Sequence, residues 1–206
     1  MQLEIWNILY FIGRLAPIMM VSFFVLVSIF NQDYKGVFYL GGVIVACVCT
    51  ILLSHTLETL FDISKMSQSC TLSGNLVSRF PLSSVVLGYS IVYIIAPMLQ
   101  TYGEINNTPL VLLMIAIIFV DVLFLARNDC VRMVGLPTAL DVALPIFMSY
   151  SLGGFFAFLF ILVATSTDAS NLLYFGSMDS GPLCNMPSST TMRCKVYKNG
   201  ELITAY

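Results

Sequence analysis

The chain has 206 residues and a net charge of −2; 58% of its residues are hydrophobic and only 10% are charged, where soluble domains carry about 25%. At a mean hydropathy of +0.91, so short a chain has too little interior to hide its apolar surface, which excludes a soluble globular fold. The slightly acidic balance leaves no electrostatic footprint for nucleic acid, and no nucleic-acid partner is expected.

Long apolar runs fill most of residues 5 to 165 and then stop. Runs of about 18–20 apolar residues cross roughly 30 Å of hydrocarbon as helices, and five such spans are predicted. The first is Trp6–Phe30, read as a retained span because no small-residue cleavage site follows it. The turn Asn31–Gly36 leads to the second, Val37–Leu57. A polar segment, Glu58–Phe80, precedes the third, Leu82–Leu99. The turn Thr101–Thr108 leads to the fourth, Pro109–Leu125, where Pro109 suits a helix start. The loop Ala126–Thr138 leads to the fifth, Ala139–Ala164. Pro17, Pro97 and Pro145 fall inside spans and are expected to kink them. The expected fold class is therefore all-α: a polytopic transmembrane helical bundle over residues 1–164 with a small extramembrane tail over 165–206. In the tail, Met192–Val196 is strand-like, and Asn199-Gly200 followed by Leu202-Ile203 suits a hairpin.

Lys65, Arg79, Arg127 and Arg132 lie in loops on the side of the N-terminus, against Lys35 in the short loops opposite. By the positive-inside rule this favours a cytoplasmic N-terminus and an extracytoplasmic tail, which carries Arg193, Lys195 and Lys198. The sequon Asn106-Asn107-Thr108 falls on the side of the tail.

Charges inside the spans are costly, on the order of 2.5–3.5 kcal/mol at a helix centre. Arg14 and Asp121 are such charges. They fit a buried ion pair or an ion path; they equally fit residues near span ends that snorkel or pair to fix packing. Gly41-Gly42 and Gly153-Gly154 suggest close helix contacts. His55 is the single histidine, so a multi-histidine metal site is excluded. No Ser-His-Asp set, phosphate-binding loop or dinucleotide fingerprint is present, and no cofactor is expected. Of the six cysteines, Cys47 and Cys49 read as packing residues of the second span. Cys70 and Cys130 lie in the two loops on the N-terminal side. Cys184 and Cys194 enclose nine residues of the tail. In an oxidising compartment they form a candidate disulfide contributing roughly 2–3 kcal/mol; in a reducing one they stay thiols.

The loops on the N-terminal side resemble the active-site motifs of membrane phosphatidic-acid phosphatases, relatives of vanadium haloperoxidases. Those carry K-x6-R-P, P-S-G-H and S-R-x5-H-x3-D on one membrane face. Glu58, six residues and Lys65-Met66 stand at the first motif's place, and Pro81-Leu82-Ser83-Ser84 at the second. Ala126-Arg127, or Pro137-Thr138-Ala139-Leu140-Asp141, stands at the third. The chemistry departs from the family: Glu58 replaces a lysine, Ser84 a histidine, and Met133 or Pro137 the other histidine. The resemblance implies the same helical scaffold with a dead site.

The segment Cys184–Ile203, with its Arg193-Cys194-Lys195-Val196-Tyr197-Lys198-Asn199-Gly200 run, resembles the C-terminal tails of small membrane proteins of large DNA viruses of eukaryotes. This implies a virion inner membrane or a host endoplasmic-reticulum-derived membrane, with a capsid or other virion membrane protein as partner besides the lipid bilayer. The leading expectation is a non-enzymatic structural membrane protein. The alternatives are a phosphatase-type protein without activity, or a small channel or transporter with Arg14, Asp121 and Asp141 along its path.

Overall fold

The computed structural model describes residues 5–58, 80–102, 108–128, 130, 140–167, 169–174, 195–198 and 201–205. Five helices account for most of them: α1 (Ile5–Asn31), α2 (Lys35–Glu58), α3 (Leu82–Tyr102), α4 (Thr108–Arg127) and α5 (Leu140–Ser166). A 3-10 turn, Ala169–Leu172, follows, then strands β1 (Lys195–Lys198) and β2 (Glu201–Ala205). All five helices are long and apolar enough to cross a membrane, and the chain is an integral membrane protein. The helices outrun the apolar runs by a few residues at several ends, because residues such as Lys35, Gln100 and Arg127 continue the backbone ladder into the polar interface.

Successive crossings place the start of α1, the end of α2, the start of α3, the end of α4 and the start of α5 on one side, called here the N-terminal face. Large apolar side chains such as Phe11, Phe30, Leu52, Phe119, Phe147 and Val163 point outward. In water such a surface would drive association; in lipid it is the ordinary exterior, and packing inside the bundle rests on small residues and polar contacts instead.

The bundle is built around α3. In its span 56% of residues are buried, against 33% for α1, α2 and α5 and 22% for α4. Its closest approach is to α5, and glycines make that possible. A Cβ on Gly153 would overlap the Val85 carbonyl, and one on Gly88 would overlap the Tyr150 carbonyl. The predicted Gly153-Gly154 contact is thus present, completed by Gly88 from the other helix. Of the predicted Gly41-Gly42 pair only Gly42 makes a contact, against the Tyr89 hydroxyl; Gly41 borders open space.

The α1–α2 turn is tied by Ser28, which is 2% exposed. Its hydroxyl bonds the Asp33 carbonyl and carboxylate at 2.5 and 2.7 Å and accepts the Gly36 N–H at 2.9 Å. Gln32 takes a positive φ of 54° to close the helix end. Buried Thr50, Ser54 and Ser149 donate to carbonyls of their own helices, at 2.7–2.8 Å, which satisfies them without a partner helix.

The chain divides into two compact units, Met1–Gly176 and Ser177–Tyr206. The helical unit extends past Ala164, where the last apolar run ends. Leu173 is 1% exposed and Tyr174 donates to the Phe24 carbonyl, so the segment after α5 belongs to the helical unit. In the second unit β1 and β2 form an antiparallel hairpin, Lys195 opposite Ala205 and Lys198 opposite Glu201, with an irregularity between Val196 and Tyr197. The hairpin expected around Asn199-Gly200 is present, though its first strand starts at Lys195; Met192–Cys194 lie outside the described residues.

Candidate functional site

Near the N-terminal face three helices converge on one carboxyl group. Ser84 comes from the first turn of α3, Asp121 from the next-to-last turn of α4 and Tyr150 from the middle of α5. The turn before α3 sets Ser84: the Pro81 carbonyl accepts the N–H groups of Ser84 and Val85 at 3.1 and 3.3 Å. Ser84 Oγ then donates to Asp121 Oδ2 at 2.9 Å and Tyr150 Oη donates to the same oxygen at 2.6 Å. Ser84 is fully buried and Asp121 is 1% exposed. A carboxyl group inside a membrane bundle is stable only when its oxygens are bonded, and here hydroxyls from two other helices bond it.

Around this node lie two other features. Phe80, Leu125, Cys130 and Ile146 form a buried apolar cluster where α3 and α5 begin and α4 ends. Between α1 and α3 is a cavity of about 280 Å³ lined by Pro17, Ile18, Val21, Leu82 and Val86, with Ser22 and Ser83 as its hydroxyls.

A second polar centre lies towards the opposite face. Tyr39, Tyr89 and Tyr93 are fully buried, with Tyr89 stacked on Tyr93 at 5.7 Å between ring centroids. Ser90 Oγ donates to the Val86 carbonyl at 2.7 Å, so at the 2.5 Å contact between Tyr39 and Ser90 the tyrosine is the donor. The hydroxyls of Tyr89 and Tyr93 have no hydrogen-bond partner among the described residues. Tyr174, beyond α5, bonds the Phe24 carbonyl, and burial followed by the negative charge of Asp33 pushes its hydroxyl up to about 12.

The structure brings together only part of the expected set. Ser84 and Asp121 meet; Arg127 is exposed at the end of α4, and His55 is exposed near the end of α2. Arg14 is half-buried on α1, next to Gly13, which packs against Phe124 and Val120 of α4. Asp141 is 9% exposed in the first turn of α5, and its Oδ1 has no hydrogen-bond partner among the described residues. Lys65, Cys184, Cys194 and the side chain of Glu58 lie outside the described residues. Among the described residues no group of three or more His, Cys, Asp or Glu could hold a metal ion. Ser83 stands in the sequence only within the run Pro81-Leu82-Ser83-Ser84, and Tyr150 and the tyrosine cluster are not signalled there. Their partners are on other helices, and only the i, i+4 spacing of Tyr89 and Tyr93 hinted that two hydroxyls share one face of α3.

A serine bonded to a carboxylate, with no histidine between them, lacks the base that turns a hydroxyl into a nucleophile at neutral pH. What the arrangement can do is clasp α3, α4 and α5 together. The chain matches no protein-family model, no curated protein and no solved structure, so neither resemblance drawn from the sequence gains support there.

Proposed function

We propose that this is a non-enzymatic membrane scaffold: a helical anchor that holds its C-terminal unit at the membrane surface for a protein partner. The observation that carries the reading is the state of Asp121. This one acidic residue of α4 is 1% exposed and bonded by hydroxyls of α3 and α5, so it fastens helices instead of facing substrate or ions. The tail adds support. Among the described residues its sheet has two strands, which is marginal alone and suits extension by a partner strand. The resemblance of the tail to viral membrane proteins makes a capsid protein the first partner to test.

The experiment has two arms. Purified protein in liposomes is expected to release no phosphate from phosphatidic acid and to carry no ion current. Deletion of residues 177–206 is expected to leave membrane insertion intact and to abolish recovery of the protein in its native assembly. Phosphate release that Ser84→Ala abolishes would replace the scaffold reading with a hydrolase. Ion flux that Asp121→Asn abolishes would replace it with a channel. Normal assembly of the truncated protein would remove the docking role of the tail.

A further inference from the structure

The cleft between α1 and α3 lies beside a cation. Arg14, Ile18, Val21 and Ser22 fall at i, i+4, i+7 and i+8 of α1 and share one stripe of that helix. The stripe borders lipid: Ile18 is 47% exposed, Ser22 is exposed, and Arg14 and Val21 are half-buried. Ile18, Val21 and Ser22, with Pro17, form the α1 wall of the cavity of about 280 Å³, and the first turns of α3 form the other. Pro17 and Ser22 on one wall and Ser83 on the other are short, which leaves the space between the helices unfilled.

Both helices start at the N-terminal face, and the shared cavity sets Pro17–Ser22 of α1 level with Leu82–Val86 of α3. Arg14 is one turn nearer that face than Ile18, about 6 Å along the axis, and so stands at the level where α3 begins. The Cα–Cβ bonds of a helix tilt towards its N-terminus, which for α1 is towards the bilayer surface, where a long cationic side chain keeps its head. From the surface inwards the order is a guanidinium and then an apolar cleft open to lipid.

We propose that this cleft binds one phospholipid of net negative charge, with its phosphate on Arg14 and one acyl chain along the cavity. The volume suffices: an apolar cavity of about 150 Å³ already takes benzene. The chain itself supplies no selection, because it leaves hydrocarbon for a cleft no more apolar than hydrocarbon. The headgroup supplies it. A guanidinium carries five N–H donors in a planar fork that matches phosphate oxygens, so a neighbour that takes one or two leaves others for the lipid. A choline headgroup would set a second cation against the first, which favours phosphatidylglycerol over phosphatidylcholine. This gives the anchor a lipid specificity that a merely inert helical bundle would lack.

The test uses the full chain in detergent micelles holding equal amounts of phosphatidylglycerol and phosphatidylcholine, with the retained lipid read by native mass spectrometry. One phosphatidylglycerol is expected on the protein, preferred by about tenfold, the order for a hydrogen bond to a charged group. Equal retention of the two lipids, or of neither, overturns the proposal. Arg14→Gln is expected to lose the preference, and Arg14→Lys, which keeps the cation without the fork, to keep part of it. A full preference in both variants overturns the phosphate contact. Ser22→Trp fills the cleft from its lipid-exposed side and is expected to lower retention of both lipids; unchanged retention overturns the place of the chain. A dimer that carries no lipid would seat a second copy in the cleft and overturn the proposal.

Discussion

α3 and α4 are neighbours crossing the same bilayer, yet they are built on opposite plans. α4 is the most apolar of the five spans and the least buried, at 22%; α3 is the least apolar and the most buried, at 56%. In a water-soluble protein the apolar helix would be the central one. In lipid, hydrocarbon solvates Leu112, Leu113, Ile115 and Phe119 of α4 as well as any protein core does. The centre goes instead to the helix carrying Ser84, Gly88, Tyr89, Ser90 and Tyr93, whose hydroxyls and close backbone contacts need protein neighbours. Apolarity thus marks the outside of this bundle, and polarity with small residues marks the middle.

The sharpest way to break that contrast is to enlarge α3's contact with α5. Gly153→Leu places side-chain atoms where the Val85 carbonyl stands and is expected to cost about 3 kcal/mol or more, the upper end for overpacking. Loss of the folded fraction in detergent denaturation would show it; a stable variant would mean that α3 and α5 are free to separate.

Asp121 is the exception on α4, and removing it comes next. Asp121→Ala leaves the Ser84 and Tyr150 hydroxyls buried without an acceptor, at an expected cost of about 1–3 kcal/mol. Asp121→Asn keeps an acceptor oxygen and is expected to lose less. Equal losses in chemical denaturation would mean that the negative charge, not the acceptor, holds the node.

The tyrosines of α3 sharpen the comparison further. Tyr39→Phe removes the bond to Ser90 and is expected to cost about 1 kcal/mol, the usual range for a membrane hydrogen bond. Tyr89→Phe and Tyr93→Phe remove hydroxyls that bond nothing among the described residues, and thermal denaturation is expected to find them neutral or slightly stabilised. A clear loss in either would reveal a partner. Least affected is the lipid side of α4, where Leu112→Ala and Phe119→Leu are expected to stay within about 0.5 kcal/mol. A larger loss would mean that this face meets protein.

The sequence reveals the spans well and the centre poorly, for one physical reason. A span is a local property: a run of apolar residues either covers the bilayer or does not, so all five helices were predictable within a few residues. The node is not local. Ser84 and Asp121 are 37 positions apart and Asp121 and Tyr150 are 29 apart, so nothing near Ser84 indicates that it bonds a carboxyl group. Ser84 instead drew notice as a stand-in for a missing histidine, and Asp121 as a lone intramembrane charge. Gly153 was legible because paired glycines are rare in helices for any reason other than contact; Gly88, single, was not. Apolarity ends at Ala164, whereas packing onto the helical unit continues through Leu173 and Tyr174, which the apolar pattern does not signal.

The bond from Tyr174 to the Phe24 carbonyl joins residues 150 positions apart, and this has a consequence for how the protein is made. At about 5–20 residues per second, roughly 8 to 30 s separate the synthesis of the two groups. For that time the inner side of α1 waits in the membrane without the segment that will cover it. The bundle therefore cannot close helix by helix as it emerges from the ribosome; its first helix is completed by nearly the last piece of the membrane unit to be translated. A ribosome stalled before residue 174 would leave α1 uncovered and the protein unfinished.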